Sequence, residues 1–286
     1  MIPTTAIATV IAGAALGAAV YVNRSVVGWL PDDPPRAGRK QHARPIPLAG
    51  IVLLPVVLPW LLWLGEWWLG LATTIAASVG YLDDRGKEHG RDLDWRWKAL
   101  ALGLASLAAA AAATDPWQQP FAFLGITALA FVLCNATNFL DNTDGVCASL
   151  SAASLLCLSL GLGSQGQGSQ GLAAAAVVGF AALGFLPWNW PRPHLFLGDA
   201  GAYLLGIVLA AMVGRSAASH PTALFTVAIQ LADFVQVVTA RIVLGLPPWV
   251  GDRRHLTHIA QNCGLPKVAV APVFAGLAVL IGWLAR

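Results

Sequence analysis

Residues Asn135–Ser151 read NATNFLDNTDGVCASLS and interrupt a chain that is otherwise close to continuous apolar sequence. Asn135, Asn138, Asp141 and Asp144 fall at steps of three, with one apolar run ending before them and another starting behind. Steps of three keep side chains near one face if the segment is helical. Asn142 and Gly145 are turn formers, so the helix is predicted to break there. Amide and carboxylate groups at membrane depth are costly and usually mark functional sites. Capping of a helix end accounts for one such residue. Four of them in ten positions point to a polar site for a metal ion and phosphates.

Composition sets the frame around this stretch. Of 286 residues, 57% are hydrophobic and 11% charged, where a soluble domain is about a quarter charged. The apolar blocks are continuous, rich in Ala and Leu and free of strict alternation, so the spans are predicted to be helices and not barrel strands. A span needs about 20 apolar residues. Candidates lie at 2–22, 46–64, 67–82, 97–113, 120–138, 145–163, 171–187, 200–214, 221–244 and 267–285. The expected fold is all-α: a polytopic membrane helix bundle of about ten transmembrane helices, forming a single integral-membrane domain over 1–286. The apolar N-terminus has no basic segment before it and no evident cleavage site, and reads as a retained span. Cys134, Cys147, Cys157 and Cys263 match no zinc spacing and read as small hydrophobes. Trp60, Trp63, Trp67 and Trp68 surround one short loop and read as an interfacial belt.

The basic residues are distributed unevenly. Arg24, Arg36, Arg39, Lys40, Arg44, Arg85, Lys87, Arg91, Arg96, Lys98, Arg192, Arg241, Arg253, Arg254 and Lys267 fall on loops of one side, and Arg215 and Arg286 on the other. The positive-inside rule makes the first set cytoplasmic and puts both termini outside. The net charge of +3 reflects these loops and implies no nucleic acid as partner; the partner of the apolar surface is the lipid bilayer.

Every chemistry-bearing cluster falls on that same side. In GYLDDRGKE (80–88), Asp83 and Asp84 are adjacent carboxylates, useful where a cation sits between them; Arg85 and Lys87 balance them. In FLGDAGAYLLG (196–206), glycines flank Asp199 before an apolar helix whose start is expected to offer free N–H groups to phosphate. In PPWVGDRRHLTH (247–258), Arg253, Arg254, His255 and His258 make a cationic patch suited to diphosphate oxygens. His42, among Arg39, Lys40 and Arg44, is a smaller version of it. Asp233, between Gln230 and Gln236 inside an apolar run, is expected to face the bundle interior. No P-loop, dinucleotide fingerprint or H-E-x-x-H occurs.

Together these motifs resemble, in order, those of the polyprenyl-phosphate N-acetylhexosamine-1-phosphate transferases. The superfamily includes undecaprenyl-phosphate N-acetylglucosamine-1-phosphate transferases and phospho-N-acetylmuramoyl-pentapeptide transferases. The likeness runs over 32–45, 80–88, 135–151, 196–206 and 233–258 and looks closer to the N-acetylglucosamine or generic sugar-phosphate branch than to the muramoyl-pentapeptide branch. It implies transfer of a sugar 1-phosphate from a UDP-N-acetylhexosamine to undecaprenyl phosphate with release of UMP. It also implies Mg²⁺ or Mn²⁺ as cofactor, a role in cell-envelope glycopolymer synthesis, and an active site on the cytoplasmic face of the bacterial inner membrane. Members often form homodimers. By resemblance Asp83, Asp84, Asp141 and Asp144 are catalytic, with Asp83 favoured to activate the lipid phosphate. Asp199 and Asn138 are metal-binding. Asn135, Phe196, His255, His258, Arg253, Arg254, His42 and Lys87 contact substrate, with Phe196 stacking on uracil. Asn142 stands where the family often has glycine. A transporter with a polar site, a muramoyl-pentapeptide branch enzyme and an inactive scaffold are the alternatives. No internal repeat favours the transporter, and the intact aspartates disfavour the scaffold.

Overall fold

Apolar helices can bury a polar site only if their ends meet, and small residues decide which helices come close enough. The computed structural model describes residues 7, 11–19, 28–33, 44–160, 164–217, 219–247 and 251–284. His42, Arg24, Arg36, Arg39 and Lys40 lie outside the described residues. The elements are β1 (Asp32–Asp33), β2 (Ile46–Pro47), α1 (Leu53–Trp63), α2 (Trp67–Glu88), α3 (Trp95–Ala113), α4 (Pro120–Leu140), α5 (Val146–Ser159), α6 (Ser164–Asn189), α7 (Gly198–Ala217), α8 (Ala228–Val243), α9 (Leu256–Asn262) and α10 (Lys267–Leu284). Residues 11–19 are helical too, and 3-10 turns at Gly50–Val52 and Pro221–Val227 lead into α1 and α8.

The protein is mostly helical and departs from the expected spans at several points. Ile46 and Pro47 do not open a helix but pair antiparallel with Asp33 and Asp32. The helix expected to end near 82 continues to Glu88, which puts Asp83, Asp84 and Lys87 on its last turns. A short helix, α9, occupies the loop after α8. Among the described residues, five segments are long and apolar enough to cross a membrane: Pro120–Leu140, Gln170–Asn189, Gly198–Ala217, Pro221–Val243 and Lys267–Leu284.

Helix α7 lies at the centre, packed by α2, α3, α4, α5 and α6, and every residue from Gly198 to Gly214 is buried. Its glycines permit this approach. A Cβ on Gly206 would meet Thr137 Oγ1 at 2.5 Å, and one on Gly214 would meet the Ile126 side chain at 2.9 Å, so α4 rides directly on α7. The outer helices turn apolar stripes outward: Leu100, Leu104 and Leu107 on α3, and Val273, Leu277, Leu280 and Leu284 on α10, are all exposed. Such i, i+3/i+4 stripes in a chain of this hydropathy face lipid. Trp63, Trp67 and Trp68 are exposed at one end of α2, and Trp95 and Trp97 just past the other. The 22 residues of α2 extend roughly 33 Å, close to the hydrocarbon thickness between two tryptophan belts.

At the end of α7 away from the polar cluster, Arg215 and Glu66 form a two-pronged pair, with Arg215 Nη1 donating to Glu66 Oε1 at 2.7 Å. Arg215 Nε also donates to the Ala112 carbonyl at 2.8 Å. A cation in the last turn complements the helix dipole. Removing one partner of a nearly buried pair strands the other charge. Arg215→Ala should therefore destabilise by on the order of 3 kcal/mol, seen as a lower melting temperature in detergent, with the double change Glu66→Gln, Arg215→Met recovering most of it. An unchanged melting temperature for the single variant would refute this account.

Candidate active site

Because consecutive helices run antiparallel, the ends of α2, α4, α6 and α8 meet the starts of α3, α5, α7 and α10. The last turns of α2 use two faces. Tyr81, Arg85 and Glu88 hold β1 and the residues before it: Tyr81 Oη donates to the Trp29 carbonyl at 2.6 Å, Arg85 Nη1 to the Gly28 carbonyl at 2.9 Å, and the Asp32 amide to Glu88 Oε1 at 3.3 Å. The other face carries Asp83, Asp84 and Lys87 inward.

There Asp83 and Asp199, far apart in sequence, share their cations. Lys87 Nζ lies 2.6 Å from Asp83 Oδ2 and 2.8 Å from Asp199 Oδ2. Lys98 Nζ, from the first turns of α3, lies 2.5 Å from Asp83 Oδ2 and 3.6 Å from Asp199 Oδ2. Asp83 is fully buried, and its Oδ1 accepts the Leu93 amide at 3.1 Å. Asp199 Oδ1 accepts from Asn138 Nδ2 at 2.7 Å, and its Oδ2 from Tyr203 Oη at 3.3 Å. Lys98 and Tyr203 escaped the sequence reading. Tyr203 had a usable signal, one helical turn after Asp199; Lys98 was read only as loop charge.

Asp84 and Asp141 face the start of α7. The Asp199 and Ala200 amides donate to Asp84 Oδ1 and Oδ2 at 3.2 and 3.3 Å, and the Gly198 amide to Asp141 Oδ2 at 2.9 Å. The N–H groups expected to be free for phosphate are therefore taken by carboxylates from α2 and from the end of α4. A helix start buried inside the protein cannot leave its amides unpaired, and the carboxylates suit the dipole. Burial pushes the Asp141 carboxyl well above the usual carboxylate range, while the Gly198 amide pulls it down.

The break after α4 occurs where turn residues stand. Gly145 has φ +74° and its amide donates to Asn189 Oδ1 at 2.9 Å. Asn142 accepts from Thr257 Oγ1 at 2.6 Å and ties the turn to α9. Asp144 pairs with Lys267 Nζ at 2.6 Å, away from the Lys87–Lys98 pair. Asn135 turns back to donate to the Phe131 carbonyl of its own helix at 2.8 Å. Phe196 is half-buried, held through its backbone: its amide donates to the Pro47 carbonyl at 2.9 Å and its carbonyl accepts from the Ala49 amide at 2.8 Å. The hairpin thereby sets the entry into α7.

The cationic loop is locked onto α8. Asp233, fully buried, accepts from the Leu256 amide at 2.6 Å and lies 2.8 Å from His255 Nδ1. The His255 ring packs edge-on against Phe139, which Phe234 stacks upon and the Arg241 guanidinium covers at 4.8 Å. Arg241 and Arg254 both reach Asp252 Oδ2, at 3.1 and 2.8 Å. These hydrogen bonds, with the Arg254 amide, hold Asp252 at about 2 despite its desolvation. Burial, with Arg253 beside it, keeps His258 below the usual imidazole range. Arg253 is exposed. Asp233, expected to turn inward, does so, and its partner is a histidine of the downstream loop.

Asp233→Ala leaves the His255 ring and the Leu256 amide without their acceptor, and should cost about 2–3 kcal/mol as a drop in melting temperature. Asp233→Asn keeps an acceptor for the amide and should lose roughly half as much. Equal losses for the two variants would show that the hydrogen bonds are not what Asp233 contributes.

Among the described residues no three His, Cys, Asp or Glu side chains form a ready-made metal cage. The site is instead a charge-balanced seam between α2, α3, α4 and α7. Residues 67–217, which hold that seam, match the family model described as glycosyl transferase family 4. The chain is also similar to undecaprenyl-phosphate alpha-N-acetylglucosaminyl 1-phosphate transferases. To that of Yersinia pestis it is 28% identical over 210 residues, 65% of this chain and 56% of the relative. To that of Escherichia coli K12 it is 33% identical over 104 residues, 33% of this chain and 28% of the relative. To that of Haemophilus influenzae it is 35% identical over 81 residues, 26% of this chain and 23% of the relative. The chain thus spans little more than half the length of the Yersinia relative, and less of the others. With a match over more than half its residues, the chain belongs to glycosyl transferase family 4.

Proposed function

We infer that this chain transfers a sugar 1-phosphate, N-acetylglucosamine 1-phosphate favoured, from a UDP-N-acetylhexosamine to undecaprenyl phosphate, for cell-envelope glycopolymer synthesis. The relatives' names support the reading. The observation that carries it is the sharing of Lys87 and Lys98 by Asp83 and Asp199 where the helix ends meet. A lipid-phosphate oxygen bonds to the phosphorus bearing the sugar, and the bond from that phosphorus to the UMP oxygen breaks. Such a reaction is mostly positioning and charge neutralisation. Two anions repel strongly in a low-dielectric site, and the ammonium groups of Lys87 and Lys98 offset that repulsion. Asp83 takes the lipid-phosphate proton where one is present. Phe196 receives the uracil; His255, His258, Arg253 and Arg254 take the diphosphate side, and His42 is a further substrate contact.

The residues fit Mg²⁺ or Mn²⁺. Asp83 and Asp199 meet the two ammonium groups, and the carboxyl groups of Asp84 and Asp141 lie behind them on the α7 amides, so the seam gathers oxygen donors of the kind a hard divalent cation takes. Mg²⁺ takes one or two protein carboxylates and completes its shell with phosphate oxygens and water, so no cage is required. Asp199, oriented by Asn138, would hold it, and the ion would neutralise charge on the diphosphate. We also infer that the chain crosses the bacterial inner membrane in about ten spans, with both termini outside, 1–286 acting as one unit and the seam on the cytoplasmic face; the uneven distribution of basic residues supports this.

Purified protein given undecaprenyl phosphate, Mg²⁺ and a panel of UDP-N-acetylhexosamines should release UMP, fastest with UDP-N-acetylglucosamine. Asp199→Asn should slow release on the order of 100-fold or more. No UMP from any donor, or a normal rate in that variant, would falsify the reading.

A further inference from the structure

We propose that the adjacent aspartates divide their labour: Asp83 faces the reacting groups, whereas Asp84, with Asp141, is a positioning residue that acts through Asp199. This rests on the function proposed above. Neighbouring residues on a helix point about 100° apart, and here that separates two environments. Asp83 Oδ2 meets two lysines. Asp84, 3% exposed, gives one oxygen each to the amides of Asp199 and Ala200, and Asp141 takes the amide of Gly198. The first three amides of α7 are thus clamped by two carboxylates from two other helices.

The clamp is built tightly. Gly198 has φ +68°, and a Cβ there would stand 2.6 Å from Asp84 Oδ2. A Cβ on Gly80, one turn before Asp84, would stand 2.5 Å from the Ala200 Cα. A Cβ on Gly50 would collide with the Leu197 carbonyl oxygen and lie 2.6 Å from the Gly201 amide. Backbone therefore touches backbone around the residue whose side chain meets Asn138, Lys87 and Tyr203. With both oxygens spent on amides inside the protein, Asp84 is placed to fix where Asp199 sits and not to receive a substrate.

The test uses the full-length protein with Asp84→Asn, Asp141→Asn, Asp83→Asn and Asp199→Asn. Three readouts are followed: Mn²⁺ binding by electron paramagnetic resonance, the pH profile and KM for undecaprenyl phosphate of UMP release, and hydrogen exchange of a peptide covering 198–201. Asp84→Asn should keep the wild-type pH profile and lipid KM, lower kcat about tenfold or more, weaken Mn²⁺ binding by roughly 10-fold, and speed exchange in that peptide. Asp141→Asn, which frees a single amide, should move the same readouts less, and serves if Asp84→Asn does not fold. Asp83→Asn should alter the pH profile and leave the exchange unchanged. A shifted pH profile in Asp84→Asn, Mn²⁺ binding lost as completely as in Asp199→Asn, or unchanged exchange would overturn the proposal. Failure of the wild-type protein to release UMP from any donor would instead remove the functional reading, while the exchange data would still report on the clamp.

Discussion

The first turn of α7 lies inside the bundle, and its amides have no helical partners of their own. In water they would be solvated; at the centre of a membrane protein each unpaired group costs several kcal/mol. Much of the site follows from that constraint. Carboxylates are the strongest acceptors for such amides and match the positive end of the dipole, so Asp84 and Asp141 are drawn in. Asp83, next to Asp84 on α2, is buried outside that clamp, and Lys87 and Lys98 supply its counter-charge from the end of α2 and the start of α3. Asp199, carried on the clamped turn, is brought into the reach of both lysines.

Close approach makes this geometry possible, and small residues make the approach possible. Gly50, Gly80, Gly198 and Gly201 leave no room for a Cβ around the α7 entry. The hairpin adds a second restraint, since the Phe196 backbone joins Pro47 and Ala49 just before the turn. The same logic recurs at the neighbouring loop, where Asp233 on α8 accepts the first amide of α9 and orients the ring of His255. In both places a buried aspartate of one helix fixes the start of another that carries polar side chains.

How much of this could be read beforehand depended on the range of the signal. The helix end at Leu140 and the turn through Asn142 and Gly145 are local chemistry, and the turn residues announced them. The step of three was a weaker guide: Asn138 reaches Asp199, but Asn135, on the same helix, bonds back to its own backbone, and Asp144, beyond the helix end at Leu140, pairs with Lys267. The two-residue strands gave no periodicity to detect, and the contacts that hold β1 and the residues before it come from Tyr81, Arg85 and Glu88, some fifty residues away. Lys98 looked like any basic residue of a cytoplasmic loop, since its role exists only once α3 docks beside Asp83. Reading the start of α7 as an anion site failed for a related reason: the sequence around Asp199 contains the amides but not the distant carboxylates that occupy them.

The two ends of α7 permit a comparison within one helix. At the far end, one arginine answers one glutamate and the Ala112 carbonyl, and the charges close. At the near end, capping alone would need Asp84 and Asp141 and nothing more. Asp83 and Asp199 are surplus to that task, as are Lys87 and Lys98, and each surplus charge has a desolvation cost that packing would avoid with apolar residues. Stability therefore explains the clamp but not the seam beside it. The seam's lysines hold two carboxylates from different helices by ion pairs, contacts that phosphate oxygens can replace on the ammonium side and a divalent cation on the carboxylate side. An arrangement that is costly as structure and exchangeable as chemistry is the kind that a site for anionic substrates requires.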